Sequence, residues 1–171
     1  MLLAVLTRFA PHLPNFSPVF GALLFGGAYL KGRDSVWFPV ALLAVSDIVL
    51  TTQVYRMQIG WSQLLVWLAF AVVALIGRWL RNDVSVRKVL AASLAGPTAF
   101  FFISNFAVWL GWRMYPPTWE GLLACYVAAL PFFRNSLLSS LLFSGVLFGA
   151  YEFYRRKFAG PRLHNPVAHA G

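Results

Sequence analysis

Cysteine, acid and histidine are all scarce in this chain. One cysteine, Cys125, excludes an internal disulfide and any multi-cysteine zinc site. It reads as a small packed hydrophobe, with a ligand to metal or corrinoid as the alternative. There are five acidic residues and three histidines among 171 residues. No Ser/His/Asp set, phosphate loop or pair of catalytic carboxylates can be assembled from them. His12 stands in a proline-rich turn without an acidic neighbour, and His164 and His169 are too sparse for a metal site. The expectation is a non-enzyme without cofactor or metal. Met1–Ala10 lacks a basic n-region and no A-x-A-like site follows it, so no cleavable signal peptide is expected.

What the chain has instead is apolar length. Hydrophobic residues make up 60% and charged residues only 11%. Trp61–Leu80 runs without a charge before Arg78, and about 20 apolar residues are what a helix needs to cross a roughly 30 Å hydrocarbon core. Further apolar segments are Met1–Ala10, Phe16–Leu30, Val36–Thr52, Leu90–Trp112 and Ser136–Tyr154. Thr118 can cap an additional helix that runs to Leu130, where Pro131 interrupts it. The expected fold class is all-α: an integral membrane bundle of about six transmembrane helices, with an extra short helix before the last span. Residues 1–159 form one multi-pass domain, and 160–171 read as a disordered cytoplasmic tail.

Basic residues lie between the apolar runs, and the net charge of +9 is distributed for a membrane rather than for nucleic acid. With six crossings, Lys31, Arg33, Arg78, Arg81, Arg87, Lys88, Arg155, Arg156, Lys157 and Arg162 share one side. Arg56, Arg113 and Arg134 fall opposite, with Arg8 near that end of the first segment. Seven crossings would export the Arg155–Lys157 cluster, so the charges favour six. The inner (cytoplasmic) membrane with both termini cytoplasmic is the expected location. Gly145/Gly149 is a GxxxG pair, and Ala22/Gly26 and Ala92/Gly96 are small-xxx-small pairs. These suit bundle packing, or contact with a second copy, a partner membrane protein or an energising module.

Polar groups inside the apolar runs gather toward the side opposite the basic loops. Asp47 lies about two-thirds of the way along its segment, where a carboxylate needs a partner, a wet cavity or a proton. Asn15, Asn105, Trp109, Tyr115, Arg134 and Asn135 fall near the same face, and together these seven residues are the candidate ligand-binding set. The plainer alternatives are an interfacial belt for the aromatics, an interhelical bond for Asn105, and a structural pair of Asp47 with Arg134 or Arg113.

These residues also carry a resemblance. Asn15-Phe16-Ser17-Pro18-Val19, Gly26-Gly27-Ala28-Tyr29, Ser46-Asp47, Ser104 to Trp109, and Cys125-Tyr126 through Pro131-Phe132-Phe133-Arg134-Asn135 resemble a family of small, uncharacterised bacterial membrane proteins, a domain-of-unknown-function family. That family's usual Gly-Asp is replaced by Ser139-Ser140 here, so an acidic role at that point is missing. The order of elements is also similar to the substrate-binding S components of energy-coupling-factor vitamin transporters. That resemblance implies capture of a small vitamin-like solute at the outer face. The first segment lacks the AxxxA pattern with which those proteins dock on their energising module. The functional expectation is a substrate-binding membrane transport protein; the alternative is a structural or assembly subunit of a larger membrane complex.

Overall fold

A computed structural model describes residues 7–9, 14–54, 56, 58–112 and 114–158. Most of the first apolar segment, His12, Arg113 and the 160–171 tail lie outside the described residues. The described residues form five α-helices: α1 Val19–Tyr29, α2 Asp34–Val49, α3 Ser62–Trp79, α4 Val86–Gly111 and α5 Trp119–Phe158. Thr7–Phe9 forms a 3-10 turn, Leu50–Val54 extends α2 as a π-helix, and Leu80–Asn82 ends α3 as a 3-10 turn. Four of these units are long and apolar enough to cross a membrane: residues 34–54, 62–82, 86–111 and 119–158.

The all-helical class stands, whereas the count and the last element differ from expectation. The extra short helix and the last span are one helix, α5, with Pro131 inside it. A proline removes one N–H and crowds the preceding turn, but neighbouring helices can hold such a helix together in a membrane. Here Tyr126 and Phe133, on either side of the proline, pack on Phe101 of α4 with ring centroids 5.5 and 4.5 Å away. Thr118 does cap the helix, its hydroxyl accepting from Gly121 N–H at 3.3 Å. At 40 residues, α5 is about 60 Å long at the helical rise.

The shortest helix is the most enclosed. Nine of the 11 residues of α1 are buried, as expected for a helix that is apolar on every side. Gly27 makes this possible: a Cβ there would lie 2.7 Å from the Arg78 backbone N and 2.8 Å from the Gly77 carbonyl carbon. A Cβ on Gly77 would in turn lie 2.7 Å from the Leu24 Cα, so α1 and α3 cross backbone to backbone. Gly21 meets α5 similarly, 2.9 Å from the Phe143 carbonyl carbon and the Ser144 N. Leu23, Leu24, Leu43, Phe70, Val73, Ala74 and Phe148 complete the core. Arg81 closes the far end of α1 by donating to the Gly27 and Leu30 carbonyls, as a cation at a helix C-terminus should.

The long helices turn apolar side chains outward. Trp37, Leu64, Leu68, Leu90, Phe102, Leu123, Leu142 and Val146 are all about half exposed or more. In water that would be an extensive sticky surface. Against lipid it is the expected outer face of a bundle whose backbone groups are satisfied inside helices.

Candidate functional site

Asp47 sits at the end of α2, one turn before the π-helical stretch Leu50–Val54, and π-turns of this kind are frequent at functional sites. Its side chain is 8% exposed. Oδ1 pairs with the Arg8 guanidinium, and Oδ2 accepts from Gln63 Nε2 at 2.9 Å. Arg8 also donates to the Ser46 hydroxyl at 2.7 Å and to the Leu43 carbonyl at 3.4 Å. Its guanidinium carbon lies 6.0 Å from the centre of the Phe70 ring. The first segment, α2 and α3 are thus joined by one hydrogen-bonded network around a buried carboxylate. Such a carboxylate is stable in a low-dielectric interior only when paired and bonded.

This network forms part of the wall of a cavity of about 520 Å³. Arg8, Asn15, Asp47, Thr51 and Gln63 supply the polar wall, and Phe20, Phe70 and Phe100 the apolar one. Phe70 and Phe100 are stacked at 4.9 Å, with Phe20 edge-on to Phe100 at 5.3 Å. A second pocket of about 110 Å³ shares Asn15, Phe100 and Ser136 with the first and is lined by Phe101, Asn105, Phe132 and Phe133. Asn15 adopts a left-handed backbone with φ 57°, tolerated by Asn in turns. Asn135 holds that turn by donating to the Pro14 carbonyl at 3.0 Å.

A third cavity, about 560 Å³, lies at the other end of α1, around Ala28 and Tyr29. Lys31, Arg81 and Arg155 meet there with Asp83 and Glu152, so basic residues from three separated stretches of the sequence gather at one end of the bundle. Glu152 accepts from the Tyr29 hydroxyl at 3.3 Å and pairs with Arg155 at 2.9 Å.

Of the seven sequence-derived candidates, Asn15 and Asp47 line the large cavity, and Asn105 lines the adjoining pocket with Asn15. The Asn105 side chain bonds its own helix, donating to the Phe101 carbonyl at 2.7 Å, and not a neighbouring one. Asn135 acts through the Pro14 turn. Trp109 donates to the Pro116 carbonyl at 3.0 Å, which fixes the loop before α5, and Tyr115 is half-buried in that loop. Neither aromatic borders these two adjoining cavities. Arg134 is exposed on α5, so the alternative of an Asp47–Arg134 pair gives way to Asp47–Arg8; Arg113 lies outside the described residues.

Sequence reasoning did not single out Arg8, Gln63 or Ser136 for the site. Arg8 left a usable signal: it is an isolated cation close to the end of an apolar run, at a depth matching that of Asp47. Cys125 is buried, its thiol 3.5 Å from the Asn105 carbonyl, which fits the packed reading. Among the described residues no group of three metal-ligating side chains occurs. Ala22 and Gly26 are buried within the bundle, whereas Gly145 and Gly149 are exposed with open space around them.

The fold is therefore an all-helical bundle with four helices long and apolar enough to span a membrane, enclosing a polar–aromatic cavity. The chain belongs to a family of unknown function, DUF6580, whose model matches residues 1–164. No curated protein and no solved structure matches it.

Proposed function

We propose that this protein binds a small vitamin-like solute from the outer side of the cytoplasmic membrane as the substrate-binding part of an uptake system. The observation that carries this reading is the cavity of about 520 Å³ with Arg8, Asp47 and Gln63 in its wall. Ligand sites are concave, mostly apolar and furnished with a few fixed polar groups, and charged groups within membrane helices mark substrate pathways. The cavity lies at the end of α1 away from Lys31, Arg81 and Arg155. Under the positive-inside rule that end faces out and both termini are cytoplasmic.

The test is gentle extraction of the full chain, followed by native mass spectrometry. A bound small molecule that disappears from a Gln63→Leu variant is the expected result. Lipid alone, with no difference between the two proteins, would sink the reading. Gly145 and Gly149, exposed with room for a Cβ in the wall of a groove shared with Val86 and Leu90 of α4, favour one second reading: a subunit that docks a partner helix there. A protein co-purifying in fixed ratio, and lost on Gly149→Leu, would support that reading.

A further inference from the structure

From the charges and shape of this cavity we infer that its solute is uncharged and has a ring at one end and an amide or hydroxyl group at the other. The inference rests on the solute-binding reading above. Arg8 and Asp47 are the only charged residues in the described lining of the two adjoining cavities, and they neutralise each other in direct contact. Both carboxylate oxygens are engaged, one by Arg8 and one by Gln63, while Arg8 is also held by Ser46 and the Leu43 carbonyl. An anionic solute would have to draw Arg8 off Asp47 and leave that carboxylate alone in a low-dielectric wall. A cationic solute would do the reverse. Either strands a buried charge, the costly way to break such a pair.

A neutral polar group meets no such obstacle. Neither the Gln63 carboxamide oxygen nor the Thr51 hydroxyl, both in the cavity wall, has a hydrogen-bond partner among the described residues. They offer an acceptor and a hydroxyl to an amide or alcohol. The adjoining pocket of about 110 Å³ has room for a single ring between Phe100, Phe101, Phe132 and Phe133. Aromatic walls favour a ring, offset or edge-on. Asn15 and Ser136, shared by both pockets, stand where the two parts of the solute join.

Three probes with one ring and different charge decide the matter: benzamide, benzoate and benzamidinium. Each is titrated calorimetrically into the full chain in lipid nanodiscs. Benzamide should bind at least about tenfold more tightly than either ion, since only the ions must part the buried pair. Benzoate or benzamidinium binding as well as benzamide overturns the inferred class while leaving a solute site in place. Failure of all three up to about 10 mM, weaker than the roughly −4 kcal/mol of a millimolar ligand, overturns the inferred class; the solute-binding reading falls only if native mass spectrometry also finds no solute that Gln63→Leu loses. Charge variants give a second measure. Arg8→Gln should shift preference toward benzamidinium and Asp47→Asn toward benzoate. If neither variant folds, the wild-type series alone is decisive.

Discussion

Arg8 and Asp47, 39 residues apart in sequence, form an ion pair whose side chains are 18% and 8% exposed. The pair anchors the start of the chain to the end of α2, and Gln63 extends it to α3. It serves the fold and the cavity wall together, so its removal should register in both.

Breaking the pair from one side should be severe. Arg8→Gln or Asp47→Asn is expected to cost about 3 kcal/mol, because each leaves a charge unpaired in a low-dielectric setting. The double variant should recover part of that loss, with a coupling of about 1 kcal/mol or more for groups in contact. Arg134→Gln, at an exposed position, should stay within about 0.5 kcal/mol of the parent. Thermal unfolding in detergent measures all four. An Arg134 variant as damaged as the Arg8 variant would show that the wrong arginine has been assigned to Asp47.

Glycines should divide by location. Gly27→Ala and Gly77→Ala place a methyl against backbone that cannot swing aside, with an expected loss of at least about 2 kcal/mol from overpacking. Gly145→Ala and Gly149→Ala meet open space and should be neutral or stabilising by about 1 kcal/mol, the helix-propensity gain of alanine over glycine. Equal midpoints for the two pairs would contradict the close crossing of α1 and α3.

Gln63→Leu keeps the volume and removes the amide that contacts Asp47. The expected stability loss is about 1 kcal/mol, the usual net worth of one hydrogen bond. Retention of solute should fall far more than that loss explains. Unchanged retention would exclude Gln63 from the site.

Orientation is open to direct measurement. Under the proposed orientation, which the positive-inside rule assigns from ten of the 14 basic residues falling on one side of six crossings, reporter fusions after Lys31, after Arg87 and at the C-terminus should all read cytoplasmic. An extracytoplasmic signal at any of the three would reverse the placement of the cavity.

The helices were legible because an unbroken apolar run of spanning length matches the thickness of a bilayer and little else, and Thr118 announced the start of α5. Pro131 misled because a proline reads as a break in isolation, while packing of Tyr126 and Phe133 on Phe101 decides whether the helix continues. Asp47 announced its need for a partner but not which one, since that depends on which helices become neighbours. Arg134 matches by depth alone; only the placement of the Thr7–Phe9 turn beside α2 brings Arg8 within reach. The short α1 is apolar on every side, which suits a central position, but its close crossing with α3 was not legible, because that depends on the meeting of Gly27 and Gly77, residues on two different helices.

One rod joins the two ends of this molecule. Ser136 borders the polar–aromatic cavity and Glu152 the basic one, and both stand on α5 with unbroken helix between them. Sixteen residues of helix set them about 24 Å apart, and Pro131 lies beyond that stretch, leaving it stiff. The rod therefore fixes the spacing of the two cavities, and it meets α1 between them, where Gly21 lies against Phe143 and Ser144.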